Sequence, residues 1–309
     1  MTTLRFVLPP DVDDPARPSG GNRYDRKVIG ALRERGWTVT EQHEHPRDVA
    51  DGGVVVVDAL VGLREPDRYR GAVVLLHMPF AQSQPGWRTA ERALLHAAAE
   101  IVTTSYWTRE WVVTHYGLDP SHVMVARPGV DPSPSTTASS AGERLLCVGA
   151  VTRLKGYDVV LAALERVADL AWTCVVAGAL DLEPSFVEAL RRSPAAERVT
   201  FAGPLPAPPY EEADLLVSGA RHEAYGMAAT EALAHGVPVL ATAVGGTVEA
   251  VGAGGVLVPS DDPDALAAEL RRWLTDASAR EELRAAAAGR RTSLRSWADT
   301  ARDLEVVLR

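Results

Sequence analysis

The sequence predicts an α/β protein made of two doubly wound parallel-sheet domains, and three observations carry that expectation. Strand-like apolar runs alternate with helical patterns along the chain, the order that builds parallel sheets with helices on both faces. Residues 132–140, PSPSTTASS, hold no large apolar side chain and interrupt this alternation once, as a linker would. The 309 residues are 46% hydrophobic, enough for each half to bury a core of its own.

In the first half, strands are expected at 4–9, 37–40, 54–57, 72–77, 101–103 and 122–125. Helices fit between them at 24–35, 87–98 and 107–116, the first with Val28, Ile29 and Leu32 as its apolar stripe. After the linker the alternation resumes. Strands are expected at 145–149, 172–177, 199–202, 215–218, 237–241 and 255–258, with helices at 157–168, 185–192, 227–235 and 263–274. The last forty residues are helical and rich in alanine and arginine, with Trp297 and Leu304 spaced to pack on another element. In open sheets of this kind, ligands bind at the carboxyl ends of the strands, so a crevice between the domains is the expected site.

Composition limits the function. A net charge of −9 argues against nucleic acid or an anionic membrane as partner, so a phosphate ligand must be held by local basic groups. Lysine occurs only at positions 27 and 155, against 30 arginines (32 − 2). With abundant alanine, this resembles the composition of a GC-rich bacterial genome. Cys147 and Cys174 fall in apolar strand-like runs and read as buried thiols, with no zinc site or disulfide framework. The N-terminal apolar run is too short for a signal peptide, and no segment approaches 18 uninterrupted apolar residues. A cytoplasmic location is expected.

The segment 220–236, ARHEAYGMAATEALAHG, carries the most chemistry. It lies between two apolar strands and sets Glu223 and Glu231 eight positions apart. A strand, a tight turn at Gly226 and a helix opening at Met227 would aim the backbone N–H groups of Tyr225, Gly226 and Met227 at one spot suited to phosphate. Glu231, one turn past Met227 on the same helix face, could reach hydroxyls beside that phosphate, and Glu223 on the turn could bind a second polyol. An anion cradle flanked by two hydroxyl-binding carboxylates describes a sugar nucleotide. Residues 149–156, GAVTRLKG, would add Arg153 and Lys155, whose charge-assisted contacts are worth roughly 1.5–3 kcal/mol each. A solvated basic loop is the plainer alternative.

Other features leave more open. Ser19-Gly20-Gly21-Asn22 is expected between the first strand and first helix, where Gly20 and Gly21 could admit a phosphate or simply turn the chain. His77 ends an apolar strand in LLHMPF and is either structural or placed at the crevice edge. Gly245-Gly246 fits a backbone loop beside the ligand, or a turn. His43-Glu44-His45 has no third metal ligand at suitable spacing and reads as a polar loop. Arg23, Arg26, Lys27, Arg33 and Arg35 make the first helix basic, as a solvated face over a core stripe.

Taken together, GAVTRLKGYD, RHEAYGMAATEALAHGVPV and ATAVGGTVEAV make residues 144–260 resemble the donor-binding domain of the retaining GT-B glycosyltransferases, family 4. SGGNRYDRKV, LLHMP, VTTSYWTRE and ARPGVD extend the resemblance, more loosely, to the first half. It implies two Rossmann-like domains facing across a cleft: an acceptor-binding domain at 1–131, a linker at 132–143, a donor-binding domain at 144–289, and a C-terminal helix at 290–309 that crosses back. By this resemblance Glu231 binds ribose hydroxyls, Glu223 the transferred sugar, and Arg153 and Lys155 the diphosphate, while His77 lies near the reacting carbon. The implied reaction moves a hexose from a UDP- or GDP-sugar to a small hydroxylated acceptor, with retention and without metal or other cofactor. Its rivals are a nucleotide-sugar epimerase of the same fold and a non-catalytic sugar-nucleotide-binding subunit. The chain departs from the family pattern at Ala150, where an arginine is usual, at Gly219-Ala220, where Pro-Ser is common, and in its compact first domain of about 130 residues.

Overall fold

The computed structural model describes residues 3–43 and 53–308. The chain divides into two compact units, the first Met1–Asp14, Gly20–Gly129 and Arg295–Arg309, the second Pro15–Ser19 and Val130–Leu294. In chain order, the first part contributes β1 (Thr3–Leu8), α1 (Gly20–Glu34), β2 (Thr38–His43), β3 (Val54–Asp58), α2 (Ala59–Gly62), β4 (Val73–Leu76), α3 (Phe80–Ser83), α4 (Arg88–Ala97), β5 (Glu100–Thr103), α5 (Tyr106–Tyr116) and β6 (Val123–Val125). There follow β7 (Arg144–Val148), α6 (Tyr157–Glu165), β8 (Thr173–Ala177), α7 (Pro184–Arg191), β9 (Val199–Gly203), β10 (Leu215–Ser218), α8 (Met227–Ala234), β11 (Val239–Thr242), α9 (Thr247–Val251), β12 (Gly255–Val258), α10 (Pro263–Thr275), α11 (Ala277–Arg291) and α12 (Trp297–Glu305).

Each unit holds one six-stranded, fully parallel sheet, with order β2-β1-β3-β4-β5-β6 in the first and β12-β11-β10-β7-β8-β9 in the second. The central strands are mostly apolar, as strands covered on both faces must be; Val73, Val74, Leu75 and Leu76 of β4 are all buried. In each sheet the first strand of the unit is flanked on both sides, by β2 and β3 around β1 and by β8 and β10 around β7. Connections therefore diverge at the carboxyl ends of β1/β3 and β7/β10, leaving room for a ligand at each point.

Several boundaries differ from the sequence expectation, each for a local reason. Helix α1 starts at Gly20 and not at 24, so Gly20 and Gly21 form its first turn and do not precede it. First-turn N–H groups lack intrahelical acceptors in any case, so weak helix formers are tolerated there. Strand β11 begins after Pro238, whose carbonyl accepts from Leu216 N at 2.9 Å but which has no N–H to pair in return. Helices α2, α3 and α9, of four or five residues, are too short to show a period. The C-terminal helix is confined to α12, set off from α11 by a turn and by the Ser296–Asp299 capping box.

The strap at 132–143 is tied to the second unit by its hydroxyls and backbone. Thr136 N donates to His235 O at 2.7 Å, Thr137 N to Glu211 O at 2.8 Å, and Ser139 N and Oγ to the buried Asp214 carboxylate at 2.6 and 2.7 Å. Helix α12 packs on α1 in the first unit: the Trp297 ring meets Tyr24 edge-on at 5.7 Å, Leu304 is fully buried, and Glu305 accepts from Arg35 and from Trp37 Nε1. Cys147 and Cys174 are buried free thiols on adjacent strands, their Sγ atoms 3.8 Å apart. Among the described residues, no helix is long and apolar enough to cross a membrane.

Candidate functional site

In the second unit, the loops after β7 and β10 converge at the point where the sheet order diverges. The first passes through a short 3-10 turn, Arg153–Lys155, into Gly156 with φ +63°. The second begins at Gly219. A Cβ on Gly156 would lie 1.8 Å from Gly219 O, and one on Gly219 would lie 2.6 Å from Gly156 O. Only two glycines allow the loops this near one another, which gives Gly219 a physical reason to replace the proline of the family pattern. Arg221 N donates to Leu154 O at 2.8 Å and joins the loops again. The Arg221 guanidinium grips both Asp158 carboxylate oxygens at 2.8 Å and Asp261 at 2.6 Å.

This arrangement brings Lys155 Nζ to 2.6 Å from Glu223 Oε2, with the two side chains 33% and 23% exposed. The Glu223 loop rests on Gly245-Gly246: Gly246 N donates to Glu223 O at 3.0 Å, and a Cβ on Gly245 would come within 1.9 Å of that carbonyl. The second glycine pair thus supports the Glu223 loop. Gly226 opens α8 with no side-chain cap, and Met227 is the first helical residue, as its spacing predicted. The Tyr225 side chain is buried. Glu231 is half-buried and accepts from Tyr210 OH at 2.8 Å, while Tyr210 stacks on His235 with ring centroids 5.3 Å apart.

Arg153 stands apart from this pair. Its guanidinium lies 4.9 Å from the centroid of the Phe186 ring on α7 and 3.9 Å from Glu183. Lys155 and Glu223 are therefore brought together, whereas Arg153 faces a neighbouring helix.

In the first unit, His77 follows β4 and packs on α1. A Cβ on Gly21 would come within 3.0 Å of His77 Cδ2, so Gly21 is what lets the imidazole approach the helix. Gly21 thus makes room for the ring, and Gly20 opens the same helical turn. His77 Nε2 lies 2.9 Å from Asp25 Oδ1 and 3.3 Å from Asp58 Oδ2. Asp25 is fully buried, and its other oxygen, Oδ2, has no partner among the described residues. Burial alone would lower the His77 pKa, but the Asp25 charge and the hydrogen bonds to Asp25 and Asp58 outweigh it and raise it to about 10. Burial raises the Asp25 carboxyl to about 7, against the opposing pull of His77. One polar atom from each of these three residues falls within 4.8 Å of the others, and Nε2 is engaged by both carboxyl groups.

Sequence reading missed Asp25 and Asp58. Their signal was a charge in an apolar setting: Asp25 on the stripe with Val28, Ile29 and Leu32, and Asp58 ending VVVVD. The basic residues of α1 are largely paired locally, Arg26 with Asp13 and Glu41 and Arg33 with Glu41. Of His43-Glu44-His45, positions 44 and 45 lie outside the described residues. A cavity of about 230 Å³ near Leu215, Leu240 and Trp273 sits at the amino-terminal end of the second sheet, away from the Lys155–Glu223 loops.

Residues 142–276 match the family described as Glycosyl transferases group 1. D-inositol 3-phosphate glycosyltransferase 1 of Catenulispora acidiphila is 33% identical over 231 residues, covering 66% of this chain and 55% of that protein. The D-inositol 3-phosphate glycosyltransferase of Kineococcus radiotolerans is 34% identical over 257 residues, covering 68% and 57%. The chain thus spans little more than half the length of these relatives. Sucrose-phosphate synthase from Thermosynechococcus elongatus superposes with a TM-score of 0.79 at 20% identity, covering 99% of this chain and 98% of the other. Anabaena Alr3699/HepE in complex with UDP and glucose gives 0.78 at 16% identity, covering 100% and 99%. At such identities the structural likeness establishes the fold.

Proposed function

We propose that this chain, which belongs to the group 1 glycosyltransferases through residues 142–276 and has the GT-B fold, transfers a hexose from a nucleotide diphosphate sugar to a hydroxyl of a small acceptor. The observation that carries the reading is the 2.6 Å contact between Lys155 and Glu223 where the second sheet's order diverges. One cation for phosphate and one carboxylate for sugar hydroxyls stand side by side, next to the uncapped start of α8. Glu231, further along α8, is assigned the ribose hydroxyls; the amides of Tyr225, Gly226 and Met227 are assigned the diphosphate. Arg153 would reach that diphosphate only by leaving Phe186 and Glu183. His77 is assigned to the transfer step.

In that step the bond from the anomeric carbon to the diphosphate oxygen breaks, and a bond to the acceptor oxygen forms on the same face. The acceptor's proton passes to the departing diphosphate, whose charge Lys155 and the backbone amides stabilise. Retention and independence of metal belong to this proposal. So does the acceptor class, for which the relatives named D-inositol 3-phosphate glycosyltransferases make an inositol phosphate the first choice to test.

The test is a thermal-shift screen of UDP- and GDP-hexoses, followed by transfer assays with and without EDTA and by NMR of the product's anomeric configuration. Binding of a nucleotide sugar followed by EDTA-insensitive transfer with retention is expected; absence of binding to every such donor would overturn the reading. A second reading is favoured by the Asp25–His77–Asp58 cluster, whose acid and base groups suit epimerisation of a nucleotide sugar. Incubation of the donor alone distinguishes it, because only an epimerase then forms a new nucleotide sugar.

A further inference from the structure

Four features converge on the His77 ring. Its Cδ2 edge is pressed against Gly21 in the first turn of α1. Tyr24 meets it edge-on, with centroids 5.1 Å apart, and is itself anchored by its hydroxyl to Ala126 O at 2.9 Å. Nε2 lies between two carboxylates, Asp25 from α1 at 2.9 Å and Asp58 from the end of β3 at 3.3 Å. The backbone is held as well, since Thr104 Oγ1 donates to His77 O at 3.0 Å.

Asp58 is fixed independently of the histidine. Its Oδ1 caps α2 by accepting from Leu60 N at 2.6 Å, leaving Oδ2 for the imidazole. Above a pH of about 7, where Asp25 is ionised, both carboxylates accept, so the nitrogen between them carries a proton. Nδ1 is the other nitrogen; among the described residues it makes no protein hydrogen bond and is not among the buried unpaired atoms, which leaves it open to solvent. Among the described residues, the charged groups that act on the ring are Asp25 and Asp58, so the local field favours a second proton.

We propose that Asp25 and Asp58 are positioning residues that fix the orientation and positive charge of His77, so that the ring acts in transfer as a hydrogen-bond donor through Nδ1–H and not as a base. The inference deepens the transferase reading and rests on it for the word transfer. A cationic donor at Nδ1 would stabilise negative charge on a sugar or phosphate oxygen, whereas a neutral ring would offer a lone pair there.

The experiment needs no substrate, so its failure is distinct from failure of the transferase reading. The full chain, labelled with ¹³C-histidine, is titrated by NMR, and the His77 resonance is assigned among eight histidines by its loss in His77→Gln. In the wild type, His77 is expected to remain protonated beyond pH 8. Asp25→Asn and Asp58→Asn should each move its midpoint down by at least one pH unit, and Asp25→Glu should restore part of the shift. A wild-type His77 that titrates near the ordinary histidine value of ~6.5 overturns the proposal, whether or not the variants fold. So does a midpoint unmoved in folded Asp25→Asn and Asp58→Asn proteins.

Discussion

Lys155 and Glu223 pair at 2.6 Å, both partly exposed. An ion pair so near water contributes only about 0–1 kcal/mol, so exchanging the carboxylate for a diphosphate as the lysine's partner costs little. Lys155→Ala should therefore weaken nucleotide-sugar binding by roughly 1.5–3 kcal/mol, about 10- to 150-fold. Calorimetry checks this; unchanged affinity would remove Lys155 from the phosphate site. His77→Ala should lower kcat far more than it changes donor affinity. Equal losses in both would mean that the ring only positions the donor. Lys155 and Glu223 were legible in the sequence because their motifs declare polar groups between strands. Asp25 and Asp58 were not, because their importance lies in meeting His77, 52 positions from Asp25 along the chain.

Close backbone approach, as well as apolar burial, holds elements in place here. Gly156→Ala would combine a left-handed φ with a Cβ 1.8 Å from a carbonyl of the neighbouring loop. A loss of about 2–5 kcal/mol is expected, as the sum of left-handed strain and overpacking. Gly36→Ala, with φ +90° and nothing within 4 Å among the described residues, is the control. It should cost only about 1–2 kcal/mol. Urea denaturation of the two variants gives the comparison, and equal losses would show that the crossing with Gly219 is not tight. Helix α12 offers another test: Trp297→Ala should destabilise the first unit by about 3–5 kcal/mol, since the buried indole packs edge-on against Tyr24. A loss below about 1 kcal/mol would mean that the helix is not docked through that ring.

Across the whole molecule, the most buried ionisable groups of the two units should respond oppositely to pH. In the second, burial would raise the carboxyls of Asp158 and Asp214, but Arg221 and Arg144 respectively, with other hydrogen bonds, more than offset it and leave both below the usual range. Their contribution is present above the unfolded value of ~3.9 and is lost as pH falls through the lower folded value. In the first unit the sign reverses. His77, raised to about 10, contributes fully below the unfolded value of ~6.5, and that contribution is lost as pH rises through about 10. Asp25, raised to about 7, adds stability below ~3.9 that is lost as pH rises through about 7. Melting curves from pH 3 to 10 should show an acid-labile and an alkali-labile transition, with His77→Gln flattening the alkaline limb. Parallel behaviour of both transitions in the wild type would contradict this assignment.

The sequence by itself determined the α/β class, the twelve strands, the helix opening at Met227 and the burial of both thiols, because local propensity and apolar runs decide such features within a few residues. It also placed Lys155 and Glu223 on loops at strand ends, since glycine and polar residues interrupt apolar runs where chains turn. Tertiary structure decided what depends on distance in space. It set Arg153 over Phe186, made Gly245-Gly246 a support for Glu223, pinned the serine- and threonine-rich strap to Asp214, and enclosed His77 between two aspartates. Each of these is a meeting of side chains or backbones from separate elements, and no periodicity along one segment encodes which remote group will stand opposite.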